Sequence, residues 1–241
     1  PESANADLYL TQLQLNFASF FSGASSFGME LTRQTVMYGP TYQAAYSPQS
    51  FDGVWSTAYT GVFKHANALI PVAEAEKKWI AAGMAKTMKA YTMMTLVDMF
   101  GDIPYSEALD FSNTTPKYDD ALTIYKDLLV RLNAATTSMK TGADSFADAD
   151  ILFGGDVSKW KKFANSLKLR MGLILADVDA ALAKSTIEAN YAGAITSNAD
   201  NALFMYLDSP PNTNPLWVDL VQSGRQDYVG ANTFIDALNA V

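Results

Sequence analysis

The segment 34–51, QTVMYGPTYQAAYSPQSF, holds Tyr38, Tyr42, Tyr46 and Phe51 among Gln, Thr and Ser and carries no charge. A sugar presents apolar C–H faces ringed by hydroxyls. Aromatic platforms with amide and hydroxyl neighbours match both features without formal charge. Arg33, just upstream, adds a planar donor fork suited to pairs of hydroxyls. The same tyrosines can instead pack the loop onto helices and leave their hydroxyls in water. A second candidate is 209–218, SPPNTNPLWV, where Asn212, Asn214 and Trp217 sit in a proline-stiffened loop; packing is again the alternative. Arg33, Tyr38, Tyr42, Tyr46, Asn214 and Trp217 are therefore the candidate ligand contacts.

Other chemistry has less to stand on. Asp144, Asp148, Asp150 and Asp156 could gather a hard cation such as Ca²⁺, which prefers several oxygens, but their spacing does not fit an EF-hand loop. Helix capping by Asp156 and solvation of the others is the simpler reading, so no metal site and no cofactor are expected. His65 is the only histidine and falls mid-helix beside Lys64 and Asn67. No nucleophile elbow, HExxH or Gly-rich phosphate loop is present. Asp119/Asp120 and Asp177/Asp179 lie where helix starts and turns explain them. No catalytic residue is assigned and an enzyme is not expected.

The whole chain of 241 residues is 49% hydrophobic and 17% charged, which is enough apolar material for a sizeable core. Its formal charge of −8 argues against nucleic acid, anionic membrane surfaces and polyanionic substrates. Without cysteine there are no disulfides, thiolate nucleophiles or thiolate metal sites. Pro1-Glu2-Ser3-Ala4 does not resemble a signal peptide. The stretch from Leu8 to Met29 is free of charge, but Gln12, Gln14, Asn16 and its serines make it too polar for hydrocarbon.

Helical periodicity supplies the elements that must position these residues. One stripe is Leu10, Leu13, Phe17, Phe20 and Phe21, ending at Gly23. A second is Trp55, Tyr59, Val62, Ala66 and Leu69, ending at Pro71. The third, Ile80 to Phe100, is apolar nearly all round and must be buried; Gly101 and Pro104 stop it. Leu122 to Ala135 follows an Asp119-Asp120 first turn. Trp160 to Leu175 follows Asp156 as N-cap. Further helices are expected over about 176–191 and 231–238, and no alternating run is long enough for a strand. The class is all-α. Two pairs, about 52–100 and 118–176, form tetratricopeptide-like helical hairpins, with long loops at 22–51, 101–117, 141–156 and 207–229.

Four segments carry a family resemblance. AKTMKAYTMMTLVDMFGDIPYSEAL, residues 85–109, resembles the signature helix of the SusD/RagB nutrient-binding outer-membrane lipoproteins of Bacteroidetes. Trp55 and Tyr59, followed by His65-Ala-Asn67-Ala-Leu-Ile70, resemble the family's W-x-x-x-Y and NxLI helix. Thr115-Pro116-Lys117-Tyr118 leading to Ile124-Tyr125 resembles its P-x-Y-D and IY segment. Asp150 to Asp156 and Trp160 to Arg170 resemble its D-x-x-Y-x-GD and WxKFANSLKLR segment. Asn67 and Asn165 are expected to bond nearby backbone, and Arg170 to pair with a carboxylate.

The resemblance implies one SusD-like α-helical domain over 1–241, forming the N-terminal part of a longer architecture. Capture of a nutrient follows from it, most readily an oligosaccharide, at the extracellular face of the outer membrane. Delivery would be to a SusC-like TonB-dependent transporter, and the binding aromatics would sit partly in the loop at about 33–51. The family's lipid anchor is on a cysteine that this chain does not contain, as expected of a trimmed mature form or a fragment. The alternative is a tetratricopeptide-like scaffold that binds a protein or peptide partner.

Overall fold

A computed structural model describes residues 5–37, 47–140 and 146–240. The chain divides into two compact units, residues 1–17 with 58–204, and residues 18–57 with 205–241. In chain order the helices are α1 (Ala6–Leu31), α2 (Asp52–Ser56), α3 (Lys64–Ala75), α4 (Trp79–Phe100), α5 (Ala121–Ser138), α6 (Val157–Ile174), α7 (Ala180–Asn190), α8 (Pro215–Trp217) and α9 (Asn232–Asn239). A wider π turn, Thr57–Phe63, joins α2 to α3. The protein is all-α.

Short strands are the exception, and the periodicity gave no sign of them. Strand β1 (Thr35–Met37) pairs antiparallel with β4 (Tyr228–Gly230), and β2 (Ile103–Pro104) with β3 (Tyr118–Asp119). Each is two or three residues long, too short for alternation to register.

In the larger unit, α4 is buried on all sides, from Ile80 through Met88 to Val97. It packs against both α3 and α5, while α6 packs against α5 and α7. The helices therefore form a continuous array in which each long helix meets its predecessor and its successor. Gly83 and Gly172 permit two of the close approaches. A Cβ on Gly83 would lie 2.4 Å from Cγ of Met139, and one on Gly172 would lie 2.9 Å from Cγ1 of Ile187.

Helix ends follow local chemistry. Asp120, Asp156 and Asp179 cap α5, α6 and α7, each accepting a backbone N–H from the third residue on. Gly101, at φ 76°, ends α4 as expected. Two stops fall elsewhere than expected. Gly23 lies inside α1, because a lone glycine costs a helix only about 1 kcal/mol and packing offsets that. Pro71 lies inside α3, since the ring removes a single helical bond. The actual stops are left-handed residues, Arg33 and Lys77, in six-to-one closures: Gln34 N–H to Met29 O at 2.8 Å, and Lys78 N–H to Ala73 O at 2.7 Å.

The turn before α6 is held by one carboxylate. Asp150 is 3% exposed and accepts from the indole N–H of Trp160 (2.7 Å) and from the backbone N–H groups of Gly155 (2.9 Å), Leu152 (3.1 Å) and Phe153 (3.2 Å). Gln14 of α1 clasps the same turn: its amide donates to Ala149 O (2.8 Å) and its carbonyl accepts from Ile151 N–H (3.0 Å). Rings of Phe17, Tyr91, Phe163, Phe153 and Trp160 continue the contact, with centroids 5.2 to 6.0 Å apart along the chain of neighbours.

Two stability predictions follow from this packing. Asp150→Ala strands four donors and is expected to cost about 3 kcal/mol, seen as a Tm roughly 10 °C lower by calorimetry. Gly83→Val is expected to cost about 2 kcal/mol by overpacking, with partial recovery when Met139→Ala is added.

Candidate functional site

Three of the candidate ligand contacts, Tyr38, Tyr42 and Tyr46, lie outside the described residues. The other three, Arg33, Asn214 and Trp217, belong to the smaller unit. Its frame is the β1–β4 pairing, which sets Thr35 opposite Gly230 and Met37 opposite Tyr228. Two further bonds extend the pairing at one end. Ala231 N–H donates to Gln34 O (3.0 Å), and the Thr233 hydroxyl donates to Arg33 O (3.1 Å). The backbone of Arg33 is thus fixed while its side chain stays exposed. It holds φ 56°, a conformation in which a side chain costs energy and glycine does not.

The loop carrying Asn214 and Trp217 is also internally braced. Leu207 N–H donates to Asn212 O at 2.8 Å, and Asn214 caps α8 by accepting Leu216 N–H at 2.9 Å. That cap spends the carbonyl of the Asn214 amide and leaves its NH₂ group to solvent. Trp217, at the end of α8, is 38% exposed, with exposed Leu216 and Val221 as apolar neighbours in the sequence. A partly open indole beside a rigid amide is the pairing of features that a sugar face uses. Tyr228 links this loop to the strands electrostatically. Burial raises its hydroxyl pKa, and the charges of Glu30, Asp219 and Asp227 raise it further, against Arg225.

The remaining candidates resolve into structural roles. Asp150 spends its carboxylate on N–H donors, Asp156 caps α6, Asp148 is exposed, and Asp144 lies outside the described residues. Among the described residues no group of three His, Cys, Asp or Glu side chains gathers as metal ligands would. His65 is half-buried, with Nδ1 2.6 Å from the Gly61 carbonyl. Asn165 does bond backbone, donating to Gly193 O at 3.1 Å. Two assignments need correcting. Asn67 is exposed and accepts from the Lys89 ammonium at 2.6 Å, where backbone had been expected. Arg170 makes no ion pair among the described residues; its guanidinium lies 6.0 Å from the Tyr91 ring centroid. Its charge still acts on Asp98, whose pKa burial raises while the hydrogen bond from Tyr125 and Arg170 oppose the rise.

Two concavities between the long helices hold none of the candidate ligand contacts. One is bounded by α3, α4 and α5 and the other by α5, α6 and α7, with Lys89 in the first and Lys168 in the second. A mid-helix lysine reads in a sequence as a solvated residue, and only the helix array shows where these two sit.

A family profile described as SusD-like, starch-binding and associating with the outer membrane matches residues 2–241. The chain belongs to the SusD-like family. Its fold matches a SusD/RagB family protein from Bacteroides thetaiotaomicron at TM-score 0.79 and 24% identity, covering 99% of this chain and 52% of that one. A chitin-binding protein matches at TM-score 0.82 and 24% identity, with 98% and 52% covered. A chitin-binding SusD homolog from Flavobacterium johnsoniae matches at 0.77 and 19%, with 92% and 50% covered. These likenesses establish the fold, and this SusD-like chain spans about half the length of the structures it matches. No curated protein matches the sequence. Among the described residues no helix is long and apolar enough to cross a membrane.

Arg33 offers a test that separates frame from ligand contact. Arg33→Gly relieves the left-handed backbone and is expected to raise stability by about 0.5–1 kcal/mol in denaturant titration. A ligand role would appear as weaker binding in that more stable variant.

Proposed function

We propose that this chain captures a neutral oligosaccharide at the extracellular face of the outer membrane, without catalysis. It then passes the ligand to a SusC-like TonB-dependent transporter. The observation that carries this reading is the family match over residues 2–241, described as starch-binding. Chitin binding by two proteins of the same fold supports a glycan over a peptide ligand. Local chemistry agrees with it: Trp217 offers an open aromatic face and Asn214 a fixed amide, while Arg33 adds a donor fork. Tyr38, Tyr42 and Tyr46 are proposed as further ligand contacts. Membrane attachment is proposed to be by a lipid anchor outside this sequence.

Calorimetric titration with soluble starch and chitin oligosaccharides tests the reading. Trp217→Ala, Tyr42→Ala and Tyr46→Ala are each expected to weaken binding about tenfold, or 1.4 kcal/mol, with little change in Tm. Saturable binding untouched by all three would place the site elsewhere, and binding of peptides alone would overturn the glycan assignment.

A further inference from the structure

The two concavities of the helix array are built alike. The first, about 680 Å³, lies among α3, α4 and α5; the second, about 530 Å³, lies among α5, α6 and α7. Each is therefore one helical hairpin plus the first helix of the next, and exposed Val130 of α5 lines both. In each, an asparagine on the first helix of the hairpin accepts from a lysine on the second. Asn67 receives the Lys89 ammonium at 2.6 Å, and Asn133 receives the Lys168 ammonium at 3.0 Å.

Charge counting sharpens the parallel. In the first concavity Lys86 pairs with Glu74 (2.5 Å) and Arg131 with Asp127 (2.5 Å), which leaves Lys89 as the surplus cation. In the second, Lys126 pairs with Asp179 (3.0 Å), which leaves Lys168. Among the described residues neither surplus ammonium makes an ion pair. Lys168 is only 4% exposed. An ammonium has three donors, and its asparagine satisfies one. Burial lowers the pKa of both lysines, that of Lys89 to about 8 with the Arg131 charge adding to the effect and Asp127 opposing it. A buried cation with a neutral partner is costly. Lys168 is such a cation and the half-buried Lys89 is a milder case, and a carboxylate beside each would repay that cost locally, against the chain's net charge of −8.

We propose that this face of the array docks an acidic peptide segment of a protein partner, one carboxylate entering each concavity to meet Lys89 and Lys168. The walls decide for peptide over acidic sugar. Their apolar parts are aliphatic, Ile70, Pro71 and Leu128 in one, Leu129 and Leu182 in the other, interspersed with polar side chains. Among the described residues Tyr105 is the one aromatic lining either, and its hydroxyl donates to Asp127 while Arg131 covers its ring, so none of them offers a sugar an open aromatic platform there. Neighbouring helix axes lie about 8–10 Å apart, so concavities on successive hairpins are on the order of 10–20 Å apart. An extended peptide covers that distance in roughly three to six residues.

The probes are blocked ten-residue peptides of Ser and Leu with two glutamates three, four or five positions apart, and their glutamine counterparts, titrated by fluorescence anisotropy. At least one glutamate peptide is expected to bind saturably. Lys89→Met and Lys168→Met are each expected to weaken it at least tenfold, and raising salt from about 50 to 500 mM to weaken it severalfold. Lys168→Met should fold with an equal or higher Tm, because it removes a buried cation and keeps the stem. Asp127→Asn, which adds positive charge to the first concavity, should tighten binding. Equal affinity for the glutamine peptides, no binding by any peptide, or binding of oligogalacturonate in place of peptide would each overturn the proposal. Both lysine variants keep Asn214 and Trp217, so loss of peptide binding with glycan binding retained separates this site from the one proposed above.

Discussion

The larger unit depends on a buried carboxylate, Asp150, that makes no ion pair among the described residues. Asp150 is answered by the Trp160 indole and three backbone N–H groups, each at 2.7 to 3.2 Å. The turn it organises would otherwise bury those N–H groups without partners, at about 1–3 kcal/mol each. Gly154 and Gly155 take φ of 59° and 82° to wrap the turn around it. Gln14 reads the turn from outside through both ends of its amide. One acidic side chain thereby fixes the turn that leads into α6, how the Trp160 ring lies, and how the first helix meets both.

A second corner works on the same principle. Gly101 ends α4 and lets Ile103–Pro104 pair with Tyr118–Asp119, while Asp102 accepts Ala121 N–H at the start of α5. Tyr59 closes it from the π turn, donating to Pro104 O at 2.7 Å. Asp119 then holds the following loop through Tyr105 N–H, Ser106 N–H and the Ser106 hydroxyl. All four family segments contribute residues to these two corners: Asp150 and Trp160 to the first, which Gln14 completes, and Tyr59, Gly101 to Pro104 and Tyr118-Asp119 to the second.

That explains what was legible in the sequence. Apolar periodicity identified α4 to α7, and Asp156 announced its helix, because both signals are local. Gly23 and Pro71 misled, because a breaker's cost of about 1–3 kcal/mol is small beside the packing of a long helix. The strands escaped notice because two or three residues are too few to show a period. Within the candidate site, Trp217 and Asn214 stood out by type, in a proline-rich loop, and Asn214 turned out to spend its carbonyl on a cap. Lys89 and Lys168 lie within two of the family segments but do not stand out by residue type. Their partners Asn67 and Asn133 lie 22 and 35 residues away, and the two intervals differ because the connections within the two hairpins differ in length.

Repetition turns that pair of lysines into an argument about design. A stack of helical hairpins repeats side-chain positions from one hairpin to the next, so a feature present twice is less readily an accident of one helix. Stability alone would favour methionine at Lys168, since a buried ammonium with a neutral partner sacrifices solvation for a single hydrogen bond. The neighbouring cations, Lys86, Lys126 and Arg131, are each neutralised by a carboxylate within 3.0 Å, so the fold has the means to pair its charges here. Among the described residues Lys89 and Lys168, on either side of Val130, have no carboxylate at ion-pair distance, a cost that binding can recover and folding cannot. The glycan surface proposed for the smaller unit carries its chemistry in loops, where composition can change without disturbing a core. The cationic face is written into the helices themselves, where a change of residue is felt by the array.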